Sequence, residues 1–112
     1  MYILVDLKIR KAELVDANDL HRFHVTAAHG ESIEAVADVL GDQGLGHLDA
    51  ALDDDHVWIN ADAVRALGRP LTKAGWELEF DKMLKSSKKH GYLSDDGSHI
   101  KAHLEWTDID GV

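Results

Sequence analysis

The chain contains no cysteine, which excludes disulfides, thiol catalysis and thiolate metal sites. A reducing compartment, the cytosol, is therefore the expected location. Proline occurs once, at Pro70, and no stretch is rich in Pro, Gly or Ser. With 112 residues this leaves no linker and predicts a single domain over 1–112. No run approaches the roughly 18 apolar residues that a membrane span needs. The first ten residues are apolar but interrupted by Asp6 and Lys8. They lack the basic start and small-residue cleavage site of a signal peptide. Familiar chemical motifs are missing too. There is no Gly-x-Ser-x-Gly elbow, and Gly41, Gly44 and Gly46 do not have phosphate-loop spacing. Asp53, Asp54 and Asp55 lack the alternating ligands and closing glutamate of a calcium loop.

Positive charge is absent from one long region. Residues 31–62 hold nine acids and no Lys or Arg, whereas the other 80 residues carry 12 of each sign. The net charge of −9 therefore lies in that stretch. Such a region repels phosphates and argues against nucleic-acid binding. It favours a basic protein partner, or serves solubility as a solvated face. Lys82, Lys85, Lys88, Lys89 and His90 form a modest basic patch, which reads as compensation of a helix dipole.

What is present is an alternation between strand and helix patterns. Tyr2 to Ile9 alternates, with Ile3, Val5, Leu7 and Ile9 on one side. Lys11 to Leu20 reads as a connection. His21 to Ala28 alternates again, with Phe23, Val25 and Ala27 inward. Ser32 caps a helix carrying Ile33, Val36, Ala37 and Leu40. His47 to Leu52 reads as a strand hairpinned to His56–Asn60, with a short helix over the first segment as the alternative. Asn60 caps a short helix closed by Gly68. Thr72 is the expected cap of the longest helix, whose stripe is Trp76, Phe80, Met83, Leu84 and Ser87. Asp95-Asp96-Gly97 is a turn before a final strand, His99 to Trp106, with Ile100, Ala102, Leu104 and Trp106 inward.

The order β-β-α-β-β-α-α-β predicts an α+β fold. It would be a two-layer sandwich, with a mostly antiparallel sheet of four to five strands and about three helices on one face. The outer face then follows by subtraction. It carries His24, His47, His56, His99 and His103, five of the eight histidines, together with Trp58, Glu105 and Lys101. A Trp among polar residues points to a face that something covers. The expected binding face is His24, His56, Trp58, His99, His103 and Glu105. Its expected use is interaction with a basic protein partner or self-association into a homo-oligomer, with no catalytic role. The rival reading is a metal-binding protein or small metalloenzyme. There His24, His103 and Glu105 would hold zinc or iron across strands, since two imidazoles and a carboxylate suit those ions. His99 and His103 lie about 13 Å apart on one strand and cannot share an ion.

Overall fold

A computed structural model of the chain describes residues 1–53 and 55–107. Asp54, the middle of the predicted aspartate turn, lies outside the described residues. On its flanks the chain turns, with His56 N–H donating to Asp53 O at 3.1 Å.

The fold is α+β, with six strands and three α-helices. In chain order these are β1 (Tyr2–Asp6), β2 (Lys11–Val15), β3 (His24–Ala28), α1 (Ile33–Asp42), β4 (Gly46–His47), β5 (His56–Asn60), α2 (Ala61–Gly68), a 3-10 turn (Arg69–Leu71), α3 (Trp76–Lys89) and β6 (His99–Thr107). The strands form one sheet in the order β2-β1-β3-β6-β5-β4. β1/β2, β4/β5 and β5/β6 pair antiparallel; β1/β3 and β3/β6 pair parallel.

This corrects the expectation of four to five mostly antiparallel strands. The sheet is mixed because its two middle strands, β3 and β6, are brought together by a crossover that contains every helix. Only a long connection lets two strands run parallel side by side. β2, expected as a connection, is an edge strand. Its pattern shows little because an edge strand needs one good inward residue, and here that residue is Leu14. β3 begins at His24 rather than His21, and β1 ends at Asp6, so Ile9 lies in a turn and is 62% exposed. Of the 47–52 segment only His47 is extended, and no helix forms there.

The inward residues stack in register: Ile3 beside Val25 beside Leu104, Val57 beside Ala102, and Ile59 beside Ile100. All are buried, and they form one core with Val36, Val39 and Leu40 of α1 and Val64 of α2. The cap residues of α1 and α2 act as expected. Ser32 Oγ accepts from Ala35 N–H at 3.1 Å, and Asn60 Oδ1 accepts from Ala63 N–H at 2.9 Å. Each satisfies a donor that the first helical turn leaves open.

α3 departs from expectation at its start. Gly75, at φ +94°, occupies the cap position, and the helix begins at Trp76. Thr72 instead closes the preceding turn, its Oγ1 donating to Gly68 O at 2.8 Å. The left-handed backbone at Gly75 is open to glycine and strained for other residues, so the chain breaks before the helix rather than inside it. Trp76 then anchors the helix. Its ring stacks on Phe80 at 5.0 Å, its Nε1 donates to Ala17 O at 2.6 Å, and it lies against Gly68. A Cβ at Gly68 would fall 2.2 Å from the Trp76 ring, so only glycine fits there. Trp76 and Phe80 are buried, Met83 and Leu84 are half-buried, and residues 88–92 are exposed. The helix thus enters the core through its first turns and leaves its C-terminal half free.

Candidate functional site

Register places four outer side chains in one row across the sheet. Tyr2 lies beside His24, His24 beside His103, and His103 beside His56. Neighbours in register point to the same side, and this side is opposite Val25, Val57 and Leu104. Tyr2 stacks on His24 at 5.1 Å, and His56 meets His103 edge-on at 5.4 Å. His24 Nε2 lies 3.3 Å from Glu105 Oε2. One position along, Lys101 is beside Trp58 and Trp58 beside His47, whose ring meets His99 at 5.0 Å. The six residues expected on the binding face therefore fall into two groups. His24, His56, His103 and Glu105 form one; Trp58 and His99 belong to the other, with His47.

The candidate metal ligands His24, His103 and Glu105 are neighbours. Even so, no three His, Asp or Glu side chains among the described residues are arranged to hold a metal ion.

The flank of β6 changes hands midway. Residues 103–107 lie along β3, whereas Ile100 bridges Leu93, and Lys101 N–H donates to Tyr92 O at 2.7 Å. Between these two neighbours the sheet is broken, and a cleft of about 660 Å³ lies at the break. Its apolar lining is Leu20, Phe23, Met83 and Ile100. Its polar lining comprises Arg22 and Lys101, the imidazoles of His21, His56, His90 and His103, and the hydroxyls of Ser86, Ser87 and Tyr92. Among the described residues the cleft's thirteen lining side chains include no acid. An even draw from a chain with 21 acids in 112 residues would place about two there.

Several of these groups are held in place. Lys101 Nζ sits over the Tyr92 ring, 5.6 Å from its centre. His90 Nδ1 lies 2.8 Å from Ser86 O. Because a carbonyl only accepts, that nitrogen carries the proton. His56 Nδ1 is buried with no hydrogen-bond partner among the described residues, and Asp53 Oδ2 lies 4.0 Å away. Burial lowers the His56 pKa from its ordinary 6.5, helped by the neighbouring His103 and Lys101.

A second hollow, of about 520 Å³, lies where the 94–98 turn meets β4 and β5. It is lined by His47, Trp58 and His99 and by the carboxylates of Asp49, Asp95 and Asp96. Asp96 Oδ1 accepts from Ser94 Oγ, from Ser98 N and from Ser98 Oγ at 2.8, 3.0 and 2.6 Å. These bonds hold its carboxyl at about 2, well under 3.8. Ser98 Oγ also lies 2.7 Å from His99 Nδ1. The set has the members of a hydrolytic triad in the wrong order. The acid takes the serine proton directly, so the imidazole donates to the hydroxyl and cannot act as its base. It is a turn lock.

Reading the sequence missed the cleft's back wall, Met83, Ser86, Ser87, His90 and Tyr92, and its front edge, His21 to Phe23. The signals were the two clusters His21-Arg22-Phe23-His24 and Ser86 to His90. Each has a bland explanation alone, and only the fold brings them opposite each other. Compared with protein-family models, with curated proteins and with solved structures, the chain matches none, so the chemistry of this cleft is the guide to function.

Proposed function

We propose that the protein is a binding module whose ligand sits in the cleft at the break between β3 and the Tyr92–Leu93 segment along β6, against the histidines of the sheet's outer face. The observation that carries this is concavity. A flat sheet face offers a small molecule little to enclose it, whereas ligand sites are clefts of roughly 300–1,000 Å³ that mix apolar walls with a few placed polar groups. The cleft has about 660 Å³ and both kinds of wall. Its polar groups come from four separate segments, so a ligand there would touch residues that sequence keeps far apart.

The test is a fragment screen followed through backbone amide NMR signals. Hits should shift Phe23, Lys101 and His103 together. Ser87→Trp, which fills the cleft from α3, should abolish those shifts while signal dispersion is retained. Hits scattered over the surface, or untouched by Ser87→Trp, count against the reading.

One observation favours a second reading. Trp58 and Tyr2 are half-buried on the outer face rather than in the core, which suits self-association through that face. Light scattering should then report a dimer that Trp58→Arg dissociates. A monomer at high micromolar concentration ends this reading.

A further inference from the structure

We infer that the cleft takes a small amphipathic anion, an apolar body bearing a carboxylate or a phosphate. The inference rests on the reading of the cleft as the binding site and names the class of its ligand.

The first support is the state of the cations. Elsewhere in the described residues three arginines and Lys82 are neutralised, whereas the other lysines lie outside the cleft without a carboxylate partner. Arg10 reaches Asp38 and Asp42 at 3.1 and 2.6 Å, and Arg65 reaches Asp62 and Asp81 at 2.5 and 2.6 Å. Arg69 bonds Glu77, and Lys82 lies 3.1 Å from Glu79. Arg22 differs: of the four arginines it is the one with no carboxylate partner among the described residues. Lys101, which lines the same cleft, rests on an aromatic ring and likewise has no acid partner among the described residues. In a chain of net charge −9, acids are plentiful enough to pair both. Two unpaired cations facing one acid-free hollow raise its potential and attract an anion from solution.

The second support is the supply of donors. His21, His56 and His103 ring the same space as the Ser86 and Ser87 hydroxyls, while the Nδ1 proton of His90 is already taken by Ser86 O. Among the described residues, buried His56 Nδ1 has no hydrogen-bond partner, its nearest carboxylate oxygen being Asp53 Oδ2 at 4.0 Å. A buried polar atom without a partner costs free energy that a ligand oxygen would recover. Arg22 supplies the planar fork that matches the two oxygens of a carboxylate or phosphate.

The third support is the apolar wall. Leu20, Phe23, Met83 and Ile100 line the same cleft. A bare inorganic anion would leave that wall in contact with water, and burying it rewards a ligand with hydrocarbon attached. Cationic ligands are disfavoured by Arg22 and Lys101.

The experiment compares four molecules with one tail: octanoate, octyl phosphate, 1-octanol and octylammonium, each titrated into the full chain and followed by amide NMR. The two anions should shift Phe23, Lys101 and His103. Octanol should bind there at least about tenfold more weakly, because it forgoes a charge-assisted hydrogen bond. Octylammonium should leave these signals still. The tighter of the two anions identifies the head group. The double variant Arg22→Gln/Lys101→Gln should lower both anions to the level of octanol. Raised salt on the parent chain provides the same comparison without substitution, since it weakens only the charged contacts. Octanol binding as tightly as the anions, or anion affinity unmoved by both the double variant and salt, overturns the anionic class. The cleft would still stand as a site through its fragment hits. Silence from all four probes beside fragment hits in the cleft also overturns the class. Silence from probes and fragments alike overturns the reading beneath it.

Discussion

The two hollows on the histidine-bearing side share a strand and differ in sign. Lys101 and His103 of β6 line the larger one, and His99 of the same strand lines the smaller. Both contain imidazoles, both contain an aromatic, and both take residues from the segment between α3 and β6. Among the described residues, the larger has two fixed cations and no acid, whereas the smaller has three acids and no Lys or Arg. A net charge of −9 describes neither. What a ligand meets is local, set by which segments the fold brings to one place, and a protein acidic overall can present an acid-free cleft.

The largest effect should come from the helix that walls only the larger hollow. Trp76→Ala removes the stacked, hydrogen-bonded anchor of α3 and should cost about 3–5 kcal/mol of stability. Thermal or urea unfolding measures it, and a variant as stable as the parent would show that α3 is held some other way. Gly68→Ala should act in the same direction by driving a methyl into the Trp76 ring. Next in size is Arg22→Glu, which places an acid in the acid-free hollow. Octanoate affinity should fall by more than about tenfold in a titration, while the Asp49, Asp95 and Asp96 signals of the smaller hollow stay where they were. Loss of both sets of signals would mean the two hollows are not independent.

A smaller effect separates the hollows by pH. The folded pKa of His56 is lowered below 6.5, so the unfolded chain takes up that proton first as pH falls. Its contribution is complete above pH 6.5 and is lost as pH drops from 6.5 toward the folded pKa. Asp53 and Asp55 oppose the shift while His103 and Lys101 favour it. His56→Gln should therefore flatten the stability profile below pH 6.5 in denaturant titrations at stepped pH. An unchanged slope would rule out burial of the His56 imidazole as the cause. The smallest effect belongs to Asp96, whose lowered pKa of about 2 comes from exposed hydrogen bonds. Its stabilisation is present above 3.8 and is lost as pH falls toward 2. Asp96→Asn should remove that component from the acid limb of the same profile and leave His56's component intact.

Much of the architecture was legible because it is written in local signals. The period-2 patterns over Tyr2–Ile9, His21–Ala28, His56–Asn60 and His99–Trp106 each contain a strand, the first two shorter than the pattern, and Ser32 and Asn60 cap the helices expected of them. β2 was illegible because an edge strand with one buried residue barely differs from a loop. The start of α3 was hidden because Thr72 resembles a cap, and its hydroxyl found a nearer acceptor at Gly68. For the site, the alternation separated the histidines from the core, but it could not say which lie side by side.

By itself the sequence determined which side of β1, β3, β5 and β6 is apolar, where two helices begin, and that cysteine chemistry has no place in this chain. Those outcomes depend on residues within a few positions of one another, where side-chain period and capping act directly. Only the tertiary structure decided that β3 lies parallel to β6, that His24, His103 and His56 share a row, and that Arg22 and Lys101 line one cleft. These contacts join segments up to 79 residues apart. They are chosen by how whole elements bury their apolar faces together, which no local pattern encodes.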